Sequence, residues 1–212
     1  MTTQRRQLLG LMAGLPLFGG AALAQTPEAP APVVKPLPRV KLTTAKGVIL
    51  IEVRTDVAPV TGANFLRYID EKRYAPAEFY RVMTYQGAPS EGILQGGLAH
   101  ADNARRLPGI KHEPTTQTGL THKEGAVSIA RFAPGTATSE FFICSGDSSN
   151  LDANPKLPGD NLGFAAFAQV IEGMDVVRLL MASPVSPTKG ADAGMKGQIL
   201  EPFIPIRFAR AT

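Results

Sequence analysis

The sequence predicts a mainly β fold, an antiparallel barrel or sandwich capped by helices. Three observations lead to this prediction. Many segments are short and rich in apolar and β-branched residues, as strands are. Only two segments show helical periodicity, and they lie far apart in the chain. The 21 glycines and 18 prolines among 212 residues favour turns over a helical bundle.

The first strands and the first helix follow in chain order from residue 39. Residues 39–43 and 48–53 are strand-like and flank a Lys-Gly turn, which predicts a hairpin. A helix is expected to open at residues 56–59, because proline is tolerated in a first helical turn. Four apolar side chains of this helix fall on one arc and should pack on the core: Ala63, Phe65, Leu66 and Ile69.

The later segments are short again. Six of them are expected to be strands: residues 79–83, 93–95, 126–130, 141–144, 165–170 and 204–209. Residues 174–182 should form the second helix, with its apolar side chains on one side. Two stretches rich in Gly, Pro, Asn and charge, residues 100–123 and 145–161, should be long surface loops.

Residues 1–24 have the pattern of a signal peptide. A polar start with Arg5 and Arg6 precedes an apolar run from Leu8 to Leu23, which ends in small residues suited to a signal peptidase. The run is interrupted and shorter than a usual membrane span, although an uncleaved anchor is the alternative. The paired arginines resemble a twin-arginine export signal, but ordinary secretory signals also carry such pairs.

Residues 25–38 contain five prolines and predict an extended linker rather than a folded element. The domain organisation expected is therefore a signal peptide at 1–24, this linker, and a folded domain at 39–212. We expect an exported, periplasmic protein.

The charge balance argues against a nucleic-acid partner. The formal net charge is +4, and removing Arg5 and Arg6 with the signal leaves 20 basic and 18 acidic residues. Electrostatic nucleic-acid binding needs a stronger excess of basic residues than this.

Cysteine and histidine usage predicts no metal and no cofactor. A single cysteine excludes an internal disulfide and multi-cysteine zinc sites, and Cys144 follows a strand-like apolar run, so we expect it to be buried. The Gln-Gly-Gly sequence at 95–97 lacks the Lys-Ser/Thr of a phosphate loop. The three histidines lie in polar sequence and are expected to be solvated loop residues: His100, His112 and His122.

Three polar side chains stand on strand-like segments. Arg81 follows Phe-Tyr, Gln95 ends another strand, and Glu140 precedes Phe-Phe-Ile. Charges on buried strands need partners. One interpretation is a structural Arg-Glu pair inside a barrel. The other is a concave face on which apolar side chains surround a guanidinium.

Eight short pieces follow one another in a fixed order and spacing: Ala-Pro at 58–59, Asn-Phe at 64–65, Phe-Tyr-Arg-Val at 79–82, Gln-Gly-Gly at 95–97, Val-Ser-Ile-Ala-Arg at 127–131, Thr-Ser-Glu-Phe-Phe-Ile at 138–143, Leu-Asp at 151–152 and Phe-Ala-Gln-Val-Ile-Glu-Gly-Met at 167–174. Through these pieces, residues 39–212 resemble the cyclophilin family of peptidyl-prolyl isomerases. The resemblance implies an eight-stranded antiparallel β-barrel capped by two α-helices.

The resemblance also implies roles for single residues. Arg81 stands where the family has its catalytic arginine. Glu140 stands where many members have glutamine, and we expect it to orient Arg81 by a charge-assisted hydrogen bond. The substrate groove is implied to comprise Ile93, Gln95, Ala130, Arg131, Glu140, Phe142, Leu151 and Phe164, with Phe142 as the floor of the proline pocket.

The chain departs from the family pattern around the pocket. A longer stretch separates Arg81 from Gln95, and it places Gly92 where phenylalanine is usual. Phe164 replaces the usual histidine. Asn150 replaces a tryptophan, which argues against strong cyclosporin binding. We hypothesise that Tyr85, in the longer stretch, folds back to supply an aromatic face.

The function implied is peptidyl-prolyl cis-trans isomerisation of proline-containing polypeptides by a monomer, without a covalent step. The alternative is a chaperone or assembly module that binds proline-containing segments in the same groove with little isomerase activity.

Overall fold

The computed structural model describes residues 36–211. Its strands are β1 (Arg39–Thr44), β2 (Gly47–Val53), β3 (Glu78–Tyr85), β4 (Ala88–Gly97), β5 (Ala126–Ile129), β6 (Phe141–Cys144), β7 (Ala165–Glu172), β8 (Ile199–Pro205) and β9 (Arg207–Ala211). Its helices are α1 (Pro59–Asp70), α2 (Thr115–Thr118) and α3 (Met174–Met181).

The strands join in one antiparallel sheet that is nearly closed into a barrel. The order across the sheet is β8-β3-β4-β6-β5-β7-β2-β1-β9. The two outer strands, β8 and β9, are consecutive in the chain and are separated only by Ile206, whose side chain is buried. The chain therefore crosses from one edge of the sheet to the other at this residue.

Aromatic side chains fill the barrel beneath α1. The ring of Phe65 on this helix lies 5.6 Å from that of Phe141 and 5.0 Å from that of Phe167. Helix α3 adds the buried side chains of Val177 and Leu180. Because burying one such side chain contributes about 1.5–3 kcal/mol, this core fixes the strands that carry the site.

The predicted fold class is confirmed, with two corrections in detail. The described residues form nine strands rather than eight, because the segment predicted as one strand at 204–209 is divided at Ile206 between β8 and β9. They also contain a third, four-residue helix, α2. Its Thr-Thr-Gln-Thr sequence has no apolar periodicity, so the pattern gave no signal for it.

The hairpin of β3 and β4 is longer than predicted. Strand β3 continues to Tyr85 and β4 begins at Ala88, so most of the longer stretch belongs to the two strands. Gly87 in the turn has φ of +81°, a conformation that glycine adopts without strain.

The predicted signal peptide at 1–24 and most of the predicted linker at 25–38 lie outside the described residues. Within residues 36–211, no helix is long and apolar enough to cross a membrane.

Candidate active site

The strand register places the central residues of the site in one row. Arg81 of β3 lies opposite Gln95 of β4, and Gln95 lies opposite Phe142 of β6. Ser128 of β5 completes the row opposite Phe142. Because directly opposed residues of antiparallel strands point to the same face, the pairing itself brings a guanidinium, an amide and a phenyl ring together.

Alternation along β6 puts this row on the outside of the barrel. Phe141 and Ile143 belong to the main core, whereas Phe142 and Cys144 belong to a second, smaller apolar cluster. The partly buried side chains packed against this cluster are Met83, Ala130, Leu151 and Phe164. The second cluster therefore forms an apolar bed on the outer face of the sheet.

A groove of about 620 Å³ lies on this bed. All nine residues that the sequence predicted for the site line it: Arg81, Ile93, Gln95, Ala130, Arg131, Glu140, Phe142, Leu151 and Phe164. Other lining residues were not anticipated, among them Met83, Arg106, Phe132 and Met195. Tyr85 is not among the lining residues, so the hypothesis that it supplies an aromatic face was wrong.

Arg81 is held by two amide oxygens. Its Nη1 donates to Gln95 Oε1 at 3.0 Å, and its Nε and Nη2 donate to Gln198 Oε1 at 2.9 and 2.6 Å. Burial lowers the pKa of the guanidinium from its ordinary value, which still leaves it protonated at neutral pH. Three of its five N–H groups are thus engaged, and the other two have no partner among residues 36–211.

Gln198 is the residue that sequence reasoning missed. It lies just before β8, and its backbone carbonyl accepts a hydrogen bond from Val82 N–H of β3 at 2.8 Å. Its own N–H donates to the carbonyl of Met195 at 3.0 Å, and Met195 in turn lines the groove. The local sequence carries no sign of this role, since it depends on a contact between distant parts of the chain.

Glu140 does not pair with Arg81, which corrects the expectation of a charge-assisted bond. Its Oε1 accepts from Leu98 N–H at 2.9 Å and from Ser139 Oγ at 3.0 Å, and its Oε2 accepts from Tyr80 Oη at 2.8 Å. Burial and the nearby carboxylate raise the pKa of the Tyr80 hydroxyl well above its usual range. The structural Arg-Glu pair considered as an alternative is therefore absent from the described residues.

His122 was wrongly expected to be a solvated loop residue. Its side chain is fully buried, and its ring stacks on Phe142 with centroids 5.8 Å apart. Nδ1 lies 2.6 Å from Asp152 Oδ1 and Nε2 lies 2.9 Å from Ser128 Oγ. Desolvation lowers the pKa of His122, which favours the neutral ring. Because the Asp152 carboxylate can only accept, Nδ1 donates to it, and Nε2 accepts from the Ser128 hydroxyl.

The order Ser-His-Asp in this network resembles a hydrolase triad, but Ser128 is fully buried beneath the groove. Its Oγ is therefore out of reach of a substrate. The network supports the floor of the groove from below. His100, by contrast, is exposed, as predicted, and bonds to Glu78.

The side chain of Arg131 ties the segment that ends at Gly163 to the edge of the groove. It donates to the Asp160 carboxylate at 2.6 and 2.9 Å and to the Gly163 carbonyl, and its side chain is only 5% exposed. Its guanidinium lies 5.6 Å from the ring centroid of Phe164, which meets Phe142 edge-on at 5.5 Å. Arg131 thereby braces the side wall of the pocket.

Gly92 replaces the usual phenylalanine for a steric reason. Its φ is +148°, and a Cβ there would lie 1.9 Å from the Met83 carbonyl oxygen. A register shift in the β3–β4 pair brings the two backbones this close. No side chain fits at this position, so Met83 and Ile93 form that part of the groove.

Cys144 is buried as predicted, and desolvation raises the pKa of its thiol to about 12. It serves as a small apolar member of the second cluster.

The family model for cyclophilin type peptidyl-prolyl cis-trans isomerase/CLD matches residues 39–200. The chain belongs to this family. The cyclophilin match covers every residue that lines the groove, from Tyr80 to Met195, and Gln198 as well.

Two relatives agree with this assignment. A peptidyl-prolyl cis-trans isomerase of Streptomyces antibioticus is 31% identical over 152 residues, which cover 71% of this chain and 87% of that protein. Peptidyl-prolyl cis-trans isomerase B of Escherichia coli is 34% identical over 145 residues, covering 63% of this chain and 78% of that protein.

Solved structures show the same fold. The cyclophilin type peptidyl-prolyl cis-trans isomerase of Cryptosporidium parvum, crystallised in the presence of the dipeptide Ala-Pro, superposes with a TM-score of 0.62 at 17% identity. The superposition covers 82% of this chain and 99% of that chain.

Proposed function

We propose that the chain accelerates cis–trans rotation of X-Pro bonds in exported proteins, with Arg81 stabilising the twisted amide. The observation that carries this proposal is the position of Arg81. It is fixed by Gln95 and Gln198 with two N–H groups left over, beside an apolar pocket floored by Phe142.

The energy that the site must supply is modest. Rotation about a peptide bond faces a barrier of about 18–20 kcal/mol, because resonance gives the C–N bond double-bond character. Uncatalysed X-Pro exchange takes roughly 10–100 s. Millisecond turnover requires an acceleration of about 10⁴–10⁵, which corresponds to roughly 5.5–7 kcal/mol. A few directed hydrogen bonds in a desolvated groove are of this order.

Arg81 supplies a differential interaction. In the planar amide the nitrogen lone pair is delocalised and accepts poorly. In the twisted amide the proline nitrogen is pyramidal and basic, so a guanidinium N–H donates to it, or to the adjacent carbonyl oxygen, more strongly than in the planar state. Since both partners of Arg81 are neutral amides, its full positive charge acts on the twisted bond.

The rest of the groove holds the two sides of the bond. Phe142, Leu151, Ile93 and Phe164 offer an apolar surface against which a proline ring can pack. The backbone near Ala130 runs along the groove beside it and can fix the preceding residue while the ring side rotates.

The test is cis–trans exchange in a short X-Pro peptide, followed by NMR. Wild type should accelerate exchange, Arg81→Ala should lose most of the acceleration, and Arg81→Lys should also be poor, because a point charge does not reproduce the planar fork. Arg210→Ala is the matched control, since that arginine pairs with Asp70 away from the groove. Near-full activity of Arg81→Ala would contradict the mechanism.

A wild-type protein that binds the peptide without accelerating exchange would instead be a proline-segment chaperone. Titration of the peptide in the same NMR experiment separates the two functions.

The proposed location is the periplasm, after export through a cleaved signal peptide. Support comes from residues 1–24 with the Arg5-Arg6 pair, followed by the proline-rich linker. N-terminal sequencing of protein from the periplasmic fraction should find a start at residue 25. An intact N-terminus in the membrane fraction would indicate an anchor. Replacing both arginines by lysine should block export only if the twin-arginine route is used.

A further inference from the structure

A second cavity adjoins the proline pocket. It has a volume of about 270 Å³ and shares four lining residues with the groove: Arg131, Phe132, Leu151 and Phe164. Its other side is formed by the segment 150–163, which carries Leu157. The two cavities therefore adjoin, with Leu151 and Phe164 as their common wall.

Phe132 stands between the two cavities with its side chain in solvent. It is 96% exposed, more than any other large apolar side chain among residues 36–211. Its backbone is fixed on both sides, because its N–H donates to Thr136 Oγ1 at 3.2 Å and its carbonyl accepts from Arg131 Nη1 at 3.0 Å. A fixed backbone thus presents an unpacked phenyl ring at the edge of the groove, where binding would desolvate it.

The opposite lip is preformed as well. Asn154 N–H donates to the Asn161 carbonyl at 2.8 Å, and Asn161 Nδ2 donates to the Leu157 carbonyl at 2.9 Å. Arg131 fastens the same segment through Asp160. Leu157 is 57% exposed on this lip, so both lips offer apolar surface without having to reorganise first.

The charges around the cavity disfavour an acidic occupant, and its two apolar lips favour an apolar one. Arg131 and Asp160 neutralise each other, and the Asp152 carboxylate is turned towards His122. The described residues that line the cavity therefore leave no cation for an acidic side chain, and its two lips are apolar.

We propose that this cavity is a subsite for a neutral apolar side chain of the substrate, and that Phe132 and Leu157 determine this preference. The inference rests on the proposed function and deepens it. An extended chain advances roughly 3.3–3.6 Å per residue. Because the cavity adjoins the proline pocket, the side chain that enters it belongs to a residue within about two positions of the proline.

The test uses hexapeptides with one X-Pro bond and alanine at the other positions. In each variant peptide, one position within two residues of the proline carries Phe, Leu, Gly or Asp. The all-alanine peptide is the reference. Dissociation constants and exchange rates are both measured by NMR. For wild type, Phe and Leu at one flanking position should bind about three- to tenfold more tightly than Gly or Asp. Phe132→Ala should remove most of that preference, so that Phe, Leu, Gly and Asp at this position bind with nearly equal affinity.

Two further variants make the test specific. Leu179→Ala, at an exposed leucine of α3 away from the groove, should keep the preference. Phe132→Leu should retain part of it. Since Phe132 is almost wholly exposed, these variants should fold as wild type does.

Equal affinities across the series, or a preference that survives in Phe132→Ala, would overturn the subsite. A Phe132-dependent dimer in sedimentation would overturn it too, because the ring would then be an interface between copies. Failure of the isomerase function shows itself separately, as wild type that binds the all-alanine peptide without accelerating its exchange. The affinity ratios still decide the subsite in that case.

Discussion

Gln198 Oε1 accepts two hydrogen bonds from Arg81, although the two residues are 117 positions apart in the chain. Gln95 holds the same guanidinium from the neighbouring strand. Both partners are neutral, so they orient the group without cancelling its charge. A carboxylate in either place would orient it equally well and weaken its field at the substrate.

This relationship predicts different outcomes for two substitutions at one position. Gln198→Ala should lower kcat by about tenfold, which is about 1.4 kcal/mol in the barrier, because Arg81 loses its fixed orientation. Gln198→Glu is nearly isosteric and keeps the geometry, yet it should lower kcat by a similar factor through charge cancellation. The measurement is kcat and KM from peptide exchange at several substrate concentrations.

Gln117→Glu provides the matched control, since it makes the same chemical change at an exposed position on α2. Full activity of Gln198→Glu would contradict the charge-cancellation argument, and full activity of Gln198→Ala would show that Gln198 does not position Arg81 for turnover.

Glu140→Gln should change kcat by less than about threefold, because the Glu140 carboxylate bonds to Tyr80, Leu98 and Ser139 and not to Arg81. Glu140→Ala should instead lower the free energy of unfolding by about 1–3 kcal/mol, because it leaves the Leu98 N–H and the Tyr80 hydroxyl without an acceptor. Peptide exchange and urea unfolding measure the two effects. A large loss of kcat in Glu140→Gln would restore the pairing with Arg81 that the sequence suggested.

Acid should destabilise the fold through His122. Desolvation holds the pKa of His122 below its ordinary value near 6.5, so the unfolded state binds the proton first as the pH falls. The free energy of unfolding should therefore decline below about pH 6.5, by at most about 1.4 kcal/mol per pH unit from this group. Urea unfolding at pH 7.5, 6.5, 5.5 and 5.0 measures the slope.

His122→Gln should flatten this slope, whatever its stability at pH 7.5, whereas His100→Gln, at an exposed histidine, should not. An unchanged slope in His122→Gln would mean that other groups cause the acid dependence.

The thiol of Cys144 should resist modification while the protein is folded. With a pKa of about 12 for this buried thiol, only about one in 10⁴ is ionised at pH 8. A disulfide reagent such as DTNB should therefore react with the native protein only as fast as the fold opens around Cys144. In urea the reaction should be rapid. Immediate stoichiometric labelling of the native protein would contradict the burial of Cys144.

The row of Arg81, Gln95 and Phe142 could be predicted from the sequence. Each residue lies in a short motif, and the order of the motifs is that of a known family. Strand pairing then had only to align them. Gln198 lies in no such motif, since its role arises only where β8, which it directly precedes, pairs with β3.

His122 shows a second limit of sequence interpretation. A histidine in a polar stretch is usually solvated, and its burial depends on hydrogen bonds to Ser128 and Asp152, which only the folded chain brings within reach. Glu140 shows a third limit. Its carboxylate lies in the same groove as Arg81 but accepts from the neutral donors of Tyr80, Leu98 and Ser139 instead. In each case the partners were set by tertiary contacts rather than by neighbours in the chain.

The row of opposed residues on β3, β4, β6 and β5 has a consequence for how such a protein can change. Arg81 and Phe142 sit on hydrogen-bonded strands, while residues 153–162 and the tip of the β3–β4 hairpin lie outside the row. Lengthening or exchanging these peripheral segments leaves the alignment of Arg81 and Phe142 intact. The set of polypeptides that the groove accepts can therefore differ between members of the family, or be transferred by exchanging these segments. The residues proposed to act on the X-Pro bond stay in place.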